Sequence, residues 1–353
     1  HVRSRRQRQM CIRDSPWGGG NLFAINLSNF LINNGIEVVY NLIDEDIDVI
    51  LITEPRKTSE SSSFTHLDVE NYVKYINPKS VVIHRINECD ERKNTNYVNK
   101  YLIYANRIAD ETIFVSSWLK NIYLDQGIDS KVNHVVYAGA NKKVFNSINF
   151  KPWVKGEKIK ITTHHWGANW NKGFESYLKI DELIGTSKWS DILEFTYIGN
   201  TPKKLEFNNS KTIAPLSGVA LANEIKKHNL YITGSINEPS GNHHIEASQC
   251  GLPILYINSG GIPEYCQGYG LKYEFANLEK KLEEIIANYG QYAEAIKVYP
   301  NNSDEMSRQF LDIFNDAIKK KDMYSEERLK NLKQNPLSKT FYKFKRNYFN
   351  QRL

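Results

Sequence analysis

The sequence predicts an α/β protein of two domains, each built on a parallel sheet that is covered by helices. Its 353 residues suit two hydrophobic cores better than one. Short apolar runs alternate with longer helical patterns, which favours doubly wound parallel sheets. This alternation breaks at NFKPWVKGEK (149–158), a stretch typical of a linker. We therefore expect a first domain over residues 14–150 and a second over residues 151–318.

The composition is that of a globular protein without a membrane span. Hydrophobic residues make up 41% of the chain and aromatic residues 12%. No apolar run approaches the roughly 18 to 20 residues that a spanning helix needs. The four cysteines have neither metal-ligand nor disulfide-framework spacing, so we expect a reducing, cytoplasmic location. Cys89, Cys250 and Cys266 are expected to be buried thiols.

The net charge of +6 is unevenly distributed. Residues 1–13 hold five arginines and no acid, and they resemble translated adapter sequence. We interpret them as a non-native segment, with a basic targeting arm as the alternative. The tail 319–353 has a net charge of +8 and is predicted to pack back on the body, with an anionic membrane surface as the alternative. The remaining body, 14–318, has a net charge of −7, which argues against a nucleic-acid surface.

The first half begins with WGGGNLFAINLSNFLINNG (17–35), which predicts a glycine-rich turn and then a helix. Leu22, Ile25, Phe30 and Leu31 are spaced to form the apolar face of this helix. A second helix is predicted over 97–109. The predicted strands are IEVVYNL (36–42), DVILIT (48–53), SVVIHRI (80–86), ETIFVS (111–116) and VNHVVYAG (132–139).

The second half repeats the alternation of strands and helices. Its predicted strands are KIKITTHHW (158–166), LEFTYIG (193–199), LYITGS (230–235) and LPILYIN (252–258). Its predicted helices cover 171–185, 217–229, 243–251 and 304–320.

The stretch EPSGNHHIEASQCGLP (238–253) carries the clearest chemical pattern. Glu238 follows a predicted strand, and Glu246 lies one turn inside the next helix. Ligands of open α/β sheets bind at the carboxyl ends of the strands, where a helix N-terminus suits phosphate and carboxylates accept sugar hydroxyls. The pattern therefore favours a nucleotide-sugar site, with ordinary surface acids as the alternative. His243 and His244 are adjacent on a helix and point in different directions, so we expect no metal there.

This segment resembles the E-x7-E region of the retaining glycosyltransferases of family four. These enzymes have the GT-B fold, in which two Rossmann-like domains face a central cleft. The matching residues, in the family's order, are Glu238, Glu246, Gly251, Pro253, Gly260, Gly261, Pro263 and Glu264. NKGF (171–174), GGG (18–20) and VYAGANKKVF (136–145) resemble further segments of the family. The resemblance covers nearly all of residues 16–310.

The resemblance implies a metal-independent transfer of a sugar from a UDP- or GDP-linked donor, without a cofactor. Glu246 would bind the ribose hydroxyls, and Lys172 would bind the diphosphate. Glu238 would hold the hydroxyls of the transferred sugar and stabilise its developing positive charge. The backbone N–H groups of Ser240, Gly241, Asn242 and His243 would meet the sugar or the phosphate. Gly18, Gly19 and Gly20 would allow the backbone to approach the phosphates closely.

The acceptor side is less clearly marked. His84 corresponds to a catalytic-pocket histidine of the family, but strand spacing equally allows it to point into the core, and Asn87 would then occupy the pocket. Arg85 and Asp90 are further alternatives.

The sequence also departs from the family pattern. The family has an arginine about five residues before the diphosphate lysine, and this slot falls near Gly167 with no arginine close by. His164, His165 and Asn169 are candidates for part of its role.

The leading hypothesis is a retaining glycosyltransferase of polysaccharide biosynthesis that acts on a glycan or a lipid-linked acceptor. A phosphorylase of the same fold would need a pyridoxal lysine site, which we do not find, and an epimerase usually lacks this set of motifs. A catalytically inactive nucleotide-sugar-binding or scaffolding protein is the alternative from another class. A NAD-dependent enzyme is disfavoured because no G-x-G-x-x-G follows the first strand.

Overall fold

The computed structural model describes residues 19–59, 62–129, 132–331, 340 and 342. The structure contains two separate sheets, and all of their strand pairs are parallel. Within the described residues the first sheet has four strands in chain order: β1 (Val49–Ile52), β2 (Val81–Ile86), β3 (Glu111–Phe114) and β4 (Val132–Val135). The strands of the second sheet are β5 (Ile159–His165), β6 (Leu193–Gly199), β7 (Lys211–Ile213), β8 (Leu230–Thr233), β9 (Ile254–Ile257) and β10 (Gly270–Tyr273).

Helices connect the strands of both sheets. Those of the first half are α1 (Gly19–Asn33), α2 (His66–Tyr75), α3 (Asp90–Lys93), α4 (Val98–Asn106) and α5 (Ser117–Asp125). Those that follow are α6 (Phe174–Ile184), α7 (Gly218–Ile225), α8 (Asn242–Gln249), α9 (Ile262–Cys266), α10 (Leu278–Ala287), α11 (Tyr289–Ala295), α12 (Ser303–Lys319) and α13 (Lys321–Asn331). Short 3-10 helices lie at Trp170–Lys172, Phe275–Asn277 and Ile296–Val298.

The helix α12 returns to the first sheet although it follows the second one in the chain. Its apolar side chains share a core with α1 and with β2 and β3. The rings of Phe23 and Phe310 lie 5.1 Å apart between the two helices. The sequence-based boundary at residue 318 assigns this helix to the second domain, whereas its apolar face packs in the core of the first.

The predicted apolar face of α1 needs correction. The side chains that enter the core are Phe23, Leu27 and Leu31, and Leu22 is exposed. Phe23, Leu27 and Leu31 are spaced four residues apart and therefore lie on one stripe of the helix. That stripe faces α12, a partner that the local sequence does not reveal.

The predicted strand over 36–42 is wrong. The chain from Ile36 to Leu42 has no regular secondary structure, and Val39 and Tyr40 are exposed. A strand requires a neighbour with which to exchange backbone hydrogen bonds. Within the described ranges, β1 pairs with β2 alone and no segment pairs with residues 36–42.

The second sheet has the strand order β10-β9-β8-β5-β6-β7. From β5 the chain adds β6 and β7 on one side of the sheet. It then crosses back to the other side of β5, where it adds β8, β9 and β10. The order reverses between β5 and β8, which is the topological switch point where open α/β sheets bind ligands. The sequence missed β7 and β10 because each is short and lies at an edge of the sheet.

The carboxylate of Glu264, in the second domain, binds the N-terminus of a helix of the first domain. Glu264 of α9 accepts hydrogen bonds from the backbone N–H groups of Ser117 and Trp118, both at 2.7 Å. These are the first residues of α5 in the first domain. The hydroxyl of Tyr137 donates to the same carboxylate at 3.1 Å. Negative charge at a helix N-terminus is stabilising, so this contact fastens the second domain to the first.

The described part of the basic tail also contacts the first domain. Arg328 of α13 pairs with Asp110, and the hydroxyl of Tyr324 donates to Glu111. The ring of Tyr342 lies 5.6 Å from that of Tyr75 on α2. The segment 1–13 lies outside the described residues. No helix in the described ranges is long and apolar enough to cross a membrane.

Candidate functional site

The candidate site lies at the switch point of the second sheet. The strand β5 ends at His165 and β8 ends at Thr233, and both loops that follow carry predicted site residues. Lys172 lies in the 3-10 helix after β5, and Glu238 lies in the loop between β8 and α8. Because the carboxyl ends of parallel strands meet at one edge of the sheet, these two loops become neighbours.

Glu238 is a buried carboxylate held between two cations. Its Oε2 lies 2.7 Å from Lys172 Nζ, and its Oε1 lies 2.9 Å from Arg92 Nε. Burial by itself would raise the pKa of Glu238, but the charges and hydrogen bonds of Lys172 and Arg92 outweigh it and lower the pKa to about 2. The carboxylate is therefore ionised at neutral pH.

Arg92 reaches this site from the first domain, on the short helix α3. Two amide side chains of the second domain dock on the carbonyls of this helix. Asn171 donates to the carbonyl of Arg92 at 3.4 Å, and Asn237 donates to that of Glu91 at 3.2 Å. Asn171 and Asn237 immediately precede the two charged residues of the second domain, so the docking aligns the guanidinium with both. The sequence gives no local signal for this contact, because its partners lie 146 residues apart.

Glu246 lies inside α8 and is also buried. His164 Nε2 lies 2.9 Å from Glu246 Oε2, and His164 Nδ1 lies 3.1 Å from the hydroxyl of Tyr231. This chain of contacts fixes the orientation of the carboxylate. A carboxylate has two oxygens with about four lone-pair sites, so Glu246 can still accept the two hydroxyls of a ribose.

The histidines near α8 are buried and kept neutral. Burial, assisted by the charge of Lys172, lowers the pKa of both His165 and His243 well below the ordinary value. Burial also lowers the pKa of His244 to about 4. His243 Nε2 lies 2.8 Å from the hydroxyl of Thr233, so the side chain points into the protein interior. The backbone N–H of His243 lies in the first turn of α8.

Within the part of the chain that the structure describes, the N-terminus of α8 has no side-chain cap. Gly241 precedes the helix with a φ of 79° and makes no capping hydrogen bond to the first-turn N–H groups, which include those of Asn242 and His243. A Cβ on Gly241 would lie 2.8 Å from His243 Cε1, so glycine is required here for space as well as for conformation. The carbonyl of Ser240 accepts a hydrogen bond from His244. The turn 240–243 therefore presents donors at a rigid helix end next to Glu238.

A glycine pair after β9 supports the loop that carries Glu238. Gly260 has a φ of 65°, and a Cβ on it would lie 2.5 Å from the carbonyl oxygen of Glu238. A Cβ on Gly261 would lie 2.3 Å from the carbonyl oxygen of Pro239. The backbone N–H of Gly261 donates to the carbonyl of Glu238 at 2.9 Å. The two glycines thus let one loop pack on the backbone of the other.

Replacing Gly260 with Ala should displace the Glu238 loop. The new Cβ would overlap backbone atoms that cannot rotate away, in a conformation that L-residues rarely adopt. We expect a loss of roughly 1 to 3 kcal/mol in the free energy of unfolding. Chemical denaturation measures it, with Gly290→Ala as the control, because a Cβ on Gly290 meets nothing within 4 Å. Equal stability of both variants would contradict the packing described here.

The predicted catalytic residues of the first domain are His84 and Asn87, and the structure places His84 in the core. His84 is fully buried on β2, and Asn106 donates to its Nδ1 at 3.1 Å. Burial lowers the pKa of His84 to about 3. The structure thus places this side chain in the core, against its prediction as a catalytic residue, because every residue of β2 is covered on both faces of the sheet. Asn87 is half-buried in the loop that follows the strand.

The remaining alternatives on this side have structural partners. The carboxylate of Asp90 accepts from the backbone N–H groups of Tyr97, Val98 and Asn99, and so it holds the start of α4. The guanidinium of Arg85 stacks on the ring of Phe23 at 3.8 Å.

The glycine-rich segment is described in part. Gly19 and Gly20 form the first turn of α1 rather than a separate turn before it, and Gly18 lies outside the described residues. Gly167, at the slot of the family's arginine, lies in the irregular segment after β5. Among the described residues, no group of three or more His, Cys, Asp or Glu side chains is placed to hold a metal ion.

Solved structures share this two-domain arrangement. The complex of HepE from Anabaena with UDP-glucose has a TM-score of 0.61 and 12% sequence identity, covering 86% of this chain and 98% of that one. The chain has the GT-B fold. WaaG, a glycosyltransferase involved in lipopolysaccharide biosynthesis, superposes on this GT-B chain with a TM-score of 0.59 at 12% identity, covering 85% and 97% of the two chains.

Sucrose-phosphate synthase from Thermosynechococcus elongatus is a further neighbour, with a TM-score of 0.57 and 13% identity over 85% of this chain and 93% of that one. No protein-family model and no curated protein matches this sequence. At these levels of identity the structural neighbours establish the GT-B fold, and the function has to be argued from the site.

Proposed function

We propose that this protein is a retaining glycosyltransferase that moves a sugar from a nucleoside-diphosphate-sugar to a hydroxyl of a glycan or a lipid-linked acceptor. The observation that carries this proposal is the placement of Glu238, Glu246 and Lys172 together at the switch point of the second sheet. One carboxylate lies in the loop before α8 and the other lies inside α8. The ammonium of Lys172 lies 2.7 Å from the first of them. The known complex of HepE with UDP-glucose supports the same class of donor.

The proposed chemistry depends on stabilising the leaving group. When the bond between the sugar and the diphosphate breaks, negative charge grows on the phosphate oxygens. Lys172 and the uncapped first turn of α8 offer positive charge and N–H donors there, and preorganised donors of this kind lower the barrier to bond cleavage. We therefore assign no metal and no cofactor to the reaction.

The carboxylates have separate roles in this proposal. Glu246, oriented by His164, accepts the hydroxyls of the ribose. Glu238 accepts hydroxyls of the transferred sugar and stabilises the positive charge that develops at the reacting carbon. No further carboxylate is assigned as a covalent nucleophile, so retention would follow from attack of the acceptor on the same face that the diphosphate leaves.

The second candidate is a GT-B protein that binds nucleotide-sugars without turnover. Two observations favour it: Glu238 is engaged by two cations, and no arginine follows β5 near Gly167. Donor binding without hydrolysis or transfer would separate this candidate from the enzyme.

The first test is a panel of UDP-, GDP-, ADP- and dTDP-sugars added to the chain without residues 1–13. A donor that binds the native state alone raises the melting temperature by mass action. We expect donors with one of the nucleotide bases to raise the melting temperature. Glu246→Ala should weaken the apparent affinity for that donor about 10- to 100-fold, because two charge-assisted hydrogen bonds are lost. Slow hydrolysis of the same donor, followed in parallel, reports the chemistry.

Glu294→Ala is the matched control, because this glutamate is exposed on α11 and pairs with Lys297. A shift that both variants retain would remove Glu246 from the donor site. The absence of a shift with any donor would refute the proposed function. We further propose a cytoplasmic location, with the basic tail packed on the body of the protein. Liposome sedimentation with anionic lipids tests the alternative, in which the tail contacts the inner face of the membrane.

A further inference from the structure

The ion pair between the two domains carries more positive than negative charge among the described residues. Two cations, Lys172 and Arg92, share the one carboxylate of Glu238, so the three groups together carry a charge of +1. An ammonium has three N–H donors and a guanidinium five, whereas a carboxylate has about four lone-pair sites. A single carboxylate therefore cannot satisfy both cations.

The other described groups around this ion pair do not supply the missing negative charge. His165 and His243 lie near enough to Lys172 for its charge to help burial lower their pKa, and a histidine side chain brings no negative charge. The charge of Glu88 also acts on Arg92, but Glu88 Oε2 already lies 2.7 Å from both Arg56 and Lys93. A buried cation without full compensation is costly, and a site of this kind is suited to an anion.

The location of Arg92 shows which anion can reach it. The guanidinium belongs to the first domain and contacts one oxygen of Glu238 while Lys172 contacts the other. The side chain of Arg92 keeps 28% of its surface exposed. The helix α8 begins at Asn242, in the turn that follows Glu238, and the charge of Lys172 acts on His243 in its first turn. A guanidinium binds phosphate through two parallel N–H groups, which an ammonium cannot do.

We propose that Arg92 is a donor-binding residue contributed by the first domain, and that it exchanges the carboxylate of Glu238 for the diphosphate when the donor enters. This inference rests on the proposed function. Arg92 would thus supply, from the opposite domain, the second cation that the segment after β5 lacks. The exchange releases one oxygen of Glu238, which then accepts a hydroxyl of the transferred sugar. The same diphosphate would bridge the two domains.

The test measures the affinity of UDP, UMP and uridine by calorimetric titration at fixed ionic strength, with GDP, GMP and guanosine in parallel. Arg92→Gln should weaken binding of the diphosphate about 10- to 100-fold, weaken the monophosphate less, and leave the nucleoside unchanged. Arg92→Lys keeps the charge and should recover part of the loss. Arg107→Gln is the control, because this exposed arginine follows α4 and precedes the amino end of β3, whereas Arg92 follows the carboxyl end of β2.

Glu238→Gln provides the second arm of a double-mutant cycle. Removing the competing carboxylate should tighten UDP binding when Arg92 is present and have a smaller effect in the Arg92→Gln background. A wild-type protein that binds neither diphosphate would refute the proposed function together with this inference. Equal diphosphate affinity of wild type and Arg92→Gln would overturn the inference alone. An equal loss for UDP and uridine would also overturn it, since Arg92 would then act by holding the domains together.

Discussion

Replacing Glu238 with Gln should lower the rate of sugar transfer about 100-fold or more, while the protein still binds the nucleoside diphosphate. The amide keeps the shape of the side chain but removes the negative charge that faces the reacting carbon. Loss of one preorganised group that stabilises transition-state charge typically costs two to three orders of magnitude in rate. The measurement is the rate of donor hydrolysis or transfer under saturating donor, with the affinity for the diphosphate determined separately.

The matched control is Glu294→Gln in the same domain, which should leave the rate unchanged because Glu294 is exposed on α11. Glu238→Asp keeps the charge but retracts it by one methylene, and it should retain more activity than Glu238→Gln if charge is what matters. A Glu238→Gln protein with the wild-type rate would remove this residue from the chemistry.

The same variant should also change the acid sensitivity of the fold. Burial opposes ionisation of Glu238, but Lys172 and Arg92 lower its pKa to about 2, below the ordinary value of 4.5. A carboxylate with a lowered pKa adds stability above the unfolded value, and that stability is lost as pH falls from about 4.5 toward 2. Glu238→Gln should therefore flatten the pH dependence of unfolding in this window and change nothing in its slope above pH 5.

The sequence was most informative where structure is local. The strand before Glu238, the loop, and the helix that carries Glu246 were all predicted, because each depends on residues within a few positions of one another. The turn before α8 needs the glycine at Gly241, and the E-x7-E spacing places one carboxylate in the loop and the other in the helix. The parallel second sheet follows from the same alternation of strands and helices.

The contacts between distant segments were not predictable in this way. Arg92 contacts Glu238 across 146 residues of chain, and no local sequence pattern marks it. The side chain of His84 on β2 is held in the interior by Asn106 of α4, a contact that strand spacing does not reveal. Strand spacing alone therefore left two orientations of His84 open. The predicted apolar face of α1 was right for Leu31 but missed Phe23 and Leu27, since α12 packs on this helix from the far end of the sequence.

Replacing Glu264 with Ala should loosen the two domains from each other. The sequence marked Glu264 as part of a family pattern, and the structure shows its physical role. Its carboxylate accepts from the N–H groups of Ser117 and Trp118 at 2.7 Å and from the hydroxyl of Tyr137 at 3.1 Å. Alanine would leave the start of α5 without these acceptors and without the negative charge that its dipole favours.

We expect this change to cost about 2 to 4 kcal/mol in the free energy of unfolding, since three hydrogen bonds to a charged group are lost at once. Tyr265, the next residue, still donates from its hydroxyl to the carbonyl of Val115, so the domains would remain in contact. The expected sign of weakened docking is a broader thermal transition that resolves toward two steps by calorimetry, because the domains no longer unfold as one cooperative unit.

Glu283→Ala is the control for this experiment, because this glutamate is exposed and pairs with Lys188 on the surface of the second domain. Surface ion pairs contribute roughly 0 to 1 kcal/mol, so the control should unfold like the wild type. A sharp single transition for Glu264→Ala, at the wild-type temperature, would mean that Glu264 does not couple the domains. If instead the docking is weakened, the position of Arg92 over Glu238 should loosen with it, because α3 and α5 belong to the same domain. The contact of Glu264 with α5 and that of Arg92 with Glu238 would then belong to one interface.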